Sequence, residues 1–292
     1  MTRIVPGNGP TDGSGRGRND VLLIEAALNG GRDRLEVAAV PYSPEELAAE
    51  AKRCADQGAA VVHLHARTDD GGWTADPSRY AETLALCRAE APGVVLGITS
   101  IRPHGIPVEA VTDLLAELAA DPATTPDLVS INLGHIVVWE PPLGLGGRRT
   151  IHVPNDYEDV AKLLEICRRL RIRPELGVMD LGFVSNAAAL RDDGVLPAPP
   201  WFLLELDAAT WGAGPQVAPA TVTNYDALVS AMGQTFPDAR WAAHGQGDGA
   251  YPVAQRAIAA GHHVRVGFED AIALPDGGPA SGPDAGTTTG QG

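Results

Sequence analysis

Between residues 21 and 270 the chain repeats one pattern, a short apolar and β-branched run followed by a longer amphipathic stretch. This alternation belongs to parallel strands joined by helical crossovers. The runs are VLLIEAAL (21–28), AAVVHLHAR (59–67), GVVLGITS (93–100), LVSINLG (128–134), RPELGVMD (173–180), WFLLELD (201–207), RWAAHG (240–245) and HHVRVGFED (262–270). Eight parallel strands favour closure, so the expected fold is α/β, a (β/α)8 TIM-type barrel. Helix starts have a physical basis: in Ser43-Pro44-Glu45-Glu46, Ser43 caps, Pro44 suits the first turn and Glu46 completes a capping box. Asp76-Pro77 repeats the arrangement before a helix over 77–91. Within 157–170, Val160, Leu163, Leu164 and Cys167 fall on one face. Further helices are expected at 107–120, 222–236 and 251–260, with only a short one near 186–193. After Leu274 the chain reads PDGGPASGPDAGTTTGQG, which has no apolar periodicity. The barrel therefore lacks a regular final helix, and the groove beside its last strand needs another cover, such as a neighbouring subunit.

The division expected is a flexible segment over 1–20, a barrel over 21–275 and a flexible Gly/Pro/Thr-rich tail over 276–292. With 292 residues and 44% hydrophobic composition, one barrel or two unequal domains would each bury a sizeable core. Lys and Arg number 22 against 37 Asp and Glu, a net charge of -15 that repels nucleic acid and anionic lipid. Neither is an expected partner. Cys54, Cys87 and Cys167 are far apart and form no CxxC motif, which suits a reducing cytoplasm. No apolar run reaches ~18 residues, and the Gly-rich start is not built like a signal peptide.

In the second run His63, His65 and Arg67 alternate with Leu64 and Ala66, so both imidazoles project to one side near the carboxyl end of a strand. Barrel active sites sit at that rim. Either the pair shares a metal, or each ring is satisfied by backbone hydrogen bonds. In the last run Arg265, Gly267 and Glu269 share a face and Asp270 follows. Carboxylates there often cap helices, but no helical pattern follows Asp270. In a closed barrel the last strand adjoins the first, so Glu269 lies two strands from His65 and could complete a His-His-Glu set with an open coordination position. Strand parity turns Glu269 inward and leaves Asp270 at the mouth.

The segments Gly58-Ala59-Ala60-Val61-Val62-His63-Leu64-His65-Ala66-Arg67 and Gly261-His262-His263-Val264-Arg265-Val266-Gly267-Phe268-Glu269-Asp270 resemble the metal-binding strand and the closing R-x-G-x-E-D segment of the β-keto acid cleavage enzymes. Weaker matches are Ala26-Ala27-Leu28-Asn29-Gly30, Tyr42-Ser43-Pro44-Glu45-Glu46, Ser130-Ile131-Asn132-Leu133-Gly134 and Pro174-Glu175. The resemblance covers roughly residues 21–275. It implies a zinc-containing barrel, assembled as a homo-oligomer (dimer or tetramer), that exchanges acyl groups between a β-keto acid and acetyl-CoA to give acetoacetate and an acyl-CoA. It also implies zinc ligands at His63, His65 and Glu269, a catalytic base at Asp270 and its electrostatic partner at Arg265. A metal would polarise the keto acid while Asp270 removes a proton. Ser130 and Asn132 have the face and depth to bind substrate oxygens or to satisfy the adjacent loop, and Thr99, at the end of the third run, keeps a hydroxyl where the family has one.

The chain departs from the family pattern at several points. Arg32 stands where the family has a relay acid, and Glu25 compensates only if it points inward. Thr99-Ser100-Ile101-Arg102 replaces Ser-Thr-Gly-Gly; Arg102 and Arg32 would suit an acyl group with an extra anionic charge, but a surface salt bridge to a helix is the commoner role of such residues. Gly177 replaces an acid, with Asp180 nearby, and Asp248 replaces an arginine. The other histidines rank lower, each more often a loop or packing residue: His135 and His244 could approach the pocket by position, whereas His104, His152, His262 and His263 have no spacing argument. Gly245-Gln246-Gly247 is not a dinucleotide fingerprint. Two rival readings are a zinc hydrolase of a small amide, ester or lactone, and a metal-binding barrel that has lost turnover.

Overall fold

The computed structural model describes residues 21–139, 150–206, 218–278 and 280. The expected lead-in over 1–20 and nearly all of the expected tail lie outside the described residues. The strands are β1 Ile24–Ala27, β2 Val61–Leu64, β3 Val95–Thr99, β4 Leu128–Asn132, β5 Ile136–Trp139, β6 Thr150–Val153, β7 Arg173–Val178, β8 Trp201–Leu206, β9 Arg240–Gly245 and β10 His263–Val266. The helices are α1 Pro44–Asp56, α2 Pro77–Glu90, α3 Glu109–Leu118, α4 Tyr157–Leu170, α5 Leu181–Asp192, α6 Val222–Thr235 and α7 Ala250–Ala259.

Eight strands close a parallel barrel in the order β1-β10-β9-β8-β7-β4-β3-β2, as the eight runs predict. Closure is direct, since Glu25 of β1 pairs in register with Arg265 of β10 on one side and Val61 of β2 on the other. The capping box at Ser43 forms with both hydrogen bonds, and Asp76 caps α2. Outward strand residues pack on helical faces, whereas Val61, Leu128, Trp201, Leu203 and Ala242 form a separate apolar plug among strands. That plug fills the amino end of the barrel interior. Polar groups are left to the carboxyl end.

Three features differ from expectation. β5 and β6 form an antiparallel hairpin between β4 and β7, pairing Ile136 with Val153, and no strand is expected there. Its residues Ile136 and Val153 are buried and close over the rim. α5 begins at Leu181, not near 186, because the Asp180 side chain accepts from the Gly182 and Phe183 N–H groups. Finally, no helix follows β10 among the described residues, yet the groove is not open. Val264 and Val266 are buried within the one chain, and Phe268 packs with Val40, Tyr42 and Ala280. The groove expected to need a subunit is thus closed in cis.

Candidate active site

β2 carries His63, and His65 lies one residue past the end of the strand, where its backbone would lose its sheet partners. Asn29 replaces them: its Oδ1 accepts from His65 N–H at 3.0 Å, and its Nδ2 donates to His65 C=O at 2.9 Å and Pro41 C=O at 3.1 Å. The two imidazoles stand edge to face, with centroids 5.2 Å apart.

Glu269 reaches them by a turn and not by strand parity, because β10 ends at Val266. Gly267 has φ 150°, and a Cβ there would sit 2.1 Å from the Ala27 carbonyl oxygen, so only glycine lets the chain bend against β1. Asp270 N–H donates to Gly267 C=O, and Arg32 Nε donates to Phe268 C=O, each at 3.0 Å. Arg32 therefore pins this turn. The Glu269 side chain then lies against Gly30, where a Cβ would meet its Cγ at 2.3 Å. Its oxygens stand 3.7 Å from His63 Nε2 and 3.7 Å from His65 Nε2.

The three ligand atoms lie within 4.8 Å of one another, and His65 Nε2 and Glu269 Oε2 are buried without a hydrogen-bond partner. Stranded acceptors of this kind are costly unless a cation joins them. Protonation states agree. Burial drives His63 down to about 3, aided by Arg265 and against Glu269, and His65 is lowered for the same reasons. Glu269 would be raised by burial, but Arg265 and the histidines outweigh that and hold it at about 2. The set is two neutral imidazoles and one carboxylate, which fits a divalent metal.

Asp270 is not at the mouth, as parity predicts, but 1% exposed. Arg265 donates to it from Nε at 3.2 Å and Nη2 at 3.0 Å, and Nη2 also lies 2.8 Å from Glu269. On its other side His244 Nδ1 stands 3.1 Å from Asp270 Oδ1. Burial opposes ionisation of Asp270, but Arg265 and His244 hold it well below the usual carboxylate range. Glu25 does point inward, buried, with Oε1 4.0 Å from Arg265. Burial and the neighbouring Glu175 push Glu25 well above its ordinary value.

The remaining predicted residues divide. Thr99, Ser130 and Asn132 line the same small cavity, of about 50 Å³, as His63, His65 and Glu269. Arg102 does not; it lines an adjoining cavity of about 410 Å³ that shares His65, Thr99, Ile101 and Val153 with the first. Arg102 is buried, with Nε donating to Ile106 C=O, Nη1 to Asn155, and Nη2 paired with Asp159 of α4. Its salt bridge to a helix is what the structure shows, and the anion-binding expectation loses its main support. Asp180 is a helix cap, so it does not replace the acid missing at Gly177. The space over Gly177 is instead taken by the Glu205 carboxylate of β8, since a Cβ on Gly177 would lie 2.1 Å from its Oε1, which accepts from Asn132 Nδ2 at 2.9 Å. His244 lines the cavity, while His135 only approaches the Asn155 N–H, at 3.5 Å. His263 accepts from Leu23 N–H and stacks on Trp201 below the site.

Sequence reasoning missed Glu205 and ranked His244 low. Glu205 was visible as a charge at the parity of Trp201 and Leu203, the inward face of its strand.

A closed (β/α)8 barrel with two neutral histidines and a carboxylate converging at its carboxyl rim defines a barrel enzyme with a candidate divalent-metal centre. The family profile of the beta-keto acid cleavage enzymes matches residues 21–284. This chain belongs to that family. A 3-keto-5-aminohexanoate cleavage enzyme of Fusobacterium nucleatum is 29% identical over 259 residues, covering 88% of this chain and 85% of the relative. A 3,5-dioxohexanoate:acetyl-CoA acetone transferase of Paraburkholderia graminis is 27% identical over 255 residues, covering 82% and 78%. Among solved structures, the apo structure of ObcA superposes with a TM-score of 0.69 at 19% identity, covering 87% of this chain and 61% of that one. This last likeness concerns the fold alone.

Proposed function

We propose that the chain catalyses a zinc-dependent Claisen-type exchange between a β-keto acid and acetyl-CoA, giving acetoacetate and a new acyl-CoA. The observation that carries this reading is the convergence of His63, His65 and Glu269, with His65 Nε2 and Glu269 Oε2 buried and unpartnered. Zinc held there would supply Lewis-acid polarisation of the keto acid. Asp270 is the base, and Arg265 keeps it ionised and fixed in orientation. Thr99, Ser130 and Asn132 bind substrate oxygens from the opposite wall. Arg102 contributes by shaping the 410 Å³ cavity, whose link to the site through His65, Thr99, Ile101 and Val153 suits the thioester arm.

The catalytic unit in this reading is residues 21–275, acting in the cytoplasm. No helix among the described residues is long and apolar enough to cross a membrane. Assembly as a homo-oligomer rests on the resemblance alone, since β10 is already covered. The test is a panel of β-keto acids with acetyl-CoA and zinc-loaded protein. Acetoacetate and a matching acyl-CoA should form in equal amounts, and only when both substrates are present. Zinc-dependent hydrolysis without CoA would replace this reading with a hydrolase, and tight binding without turnover would leave a binding protein.

A further inference from the structure

Beyond the metal set and the Asp270–Arg265 pair, one buried ring of the site has no role in that scheme. His244 projects inward from β9 and is 1% exposed. It is held between two carboxylates: Nδ1 lies 3.1 Å from Asp270 Oδ1, and Nε2 lies 3.7 Å from Glu205 Oε2. Neither edge is aligned as a hydrogen bond, and 3.7 Å is too long for one, so Nε2 is a buried polar atom without a partner. It lines the same cavity as the three candidate metal ligands, and Asp270 is not among the residues lining that cavity. A buried, unpartnered nitrogen beside a cavity marks a place where a ligand atom completes the bonding.

The surroundings fix both the ring and its charge. Glu205 is pinned by Asn132, in space that Gly177 leaves free, and sits in register beside His244 across β8 and β9. The charged groups facing the ring are Asp270 from the turn after β10, Glu205 from β8 and Arg265 from β10. Burial and Arg265 disfavour a second proton, but Asp270 and Glu205 outweigh them and raise the imidazole to about 9. The two carboxylates therefore favour the doubly protonated ring at neutral pH.

We propose that His244 is a further catalytic residue, its Nδ1 edge set against Asp270 and its Nε2–H donating to the substrate oxygen on which negative charge develops. No bond to His244 forms or breaks and its proton stays on nitrogen, so the contribution is electrostatic, of the oxyanion-hole type. Substrate takes the place that Glu205 Oε2 holds loosely in the free protein. This rests on the acyl-exchange reading for its chemistry.

The test has a kinetic arm and a spectroscopic arm on the zinc-loaded protein. His244→Ala should lower kcat by ~10²–10³-fold with zinc content unchanged. His244→Gln, which restores a neutral donor near the Nε2 position, should recover about tenfold of that loss. If the two variants are equally impaired, or His244→Ala keeps near-normal kcat, the donor role is wrong. Independently of turnover, 15N-imidazole NMR of the wild type, with His244 identified by its absence from the Gln variant, should show both nitrogens protonated at about pH 7.5. Its Nε2 shift should move on adding acetoacetate. A deprotonated nitrogen, or an Nε2 shift unmoved by saturating acetoacetate, overturns the proposal even if no acyl exchange occurs. An absence of exchange with every keto acid would refute the acyl-exchange reading alone.

Discussion

Asn29→Ala is the perturbation that most directly tests how the fold presents His65. Asn29 is fully buried and makes three hydrogen bonds, two to the backbone of His65 and one to Pro41 C=O. Truncation strands all three groups, and an unsatisfied buried group costs roughly 1–3 kcal/mol. Water entering the space left by the amide would restore part of this, so we expect the low end, about 3 kcal/mol in total. For a chain of this size that corresponds to a fall of ~6–12 °C in Tm. Because His65 lies beyond the last β2 pairing, its ring should also lose orientation, weakening zinc binding by ~10–100-fold, as for other groups that orient metal ligands. Thermal unfolding of metal-free protein and zinc competition against a chromophoric chelator measure the two effects separately. A lower Tm with zinc affinity within about twofold of wild type would mean that Asn29 stabilises the barrel without presenting the ligand. No change in either would mean that the clamp is not formed.

Gly177→Ala should push Glu205 off Asn132, since the new methyl would lie 2.1 Å from Glu205 Oε1, and kcat should fall by about tenfold with zinc retained; normal kinetics would show that the Asn132–Glu205 bond is dispensable. Asp270→Asn should keep zinc and lower turnover by ~10²–10⁴-fold, whereas Glu269→Gln should weaken zinc retention, as metal analysis and acyl-exchange assays run side by side would reveal. If Asp270→Asn stays active, the base is elsewhere, and Glu25 or Glu205 becomes the next candidate. In metal-free protein His63 titrates at about 3 when folded against 6.5 for an ordinary histidine, so the unfolded chain binds the extra proton between those values. The stability contributed by keeping this ring neutral is complete above 6.5 and is lost as pH falls toward 3, visible as a declining denaturation midpoint. A midpoint flat across that window would contradict the burial of a neutral His63.

The barrel was legible because its strands are apolar runs and most of its crossover helices begin at a side-chain cap, both local properties. What the sequence hid are contacts between distant segments. The β5–β6 hairpin pairs residues on either side of a Gly-rich stretch, and its second strand, Thr150–Val153, alternates polar and apolar residues over only four positions, too short to mark a strand by itself. Glu269 and Asp270 were assigned to the right cluster for the wrong reason. Parity assumes a strand that continues, whereas β10 stops at Val266 and Gly267 bends the chain, which buries Asp270 as well as Glu269. Glu205 fills the space above Gly177 from the neighbouring strand, a contact between strands that a position-by-position reading cannot find. The His63–His65 pair was legible because its spacing alone places both rings on one side.

The central claim is that His63, His65 and Glu269 hold the metal on which acyl exchange depends. Chelator-stripped protein should be titrated with zinc while acetyl-CoA-dependent acyl exchange is followed. The account predicts activity rising linearly from near zero to a plateau at about one zinc per chain, and no such rise in the His63→Ala/His65→Ala double variant. Full activity in the stripped protein, or an unchanged titration in the double variant, would contradict it.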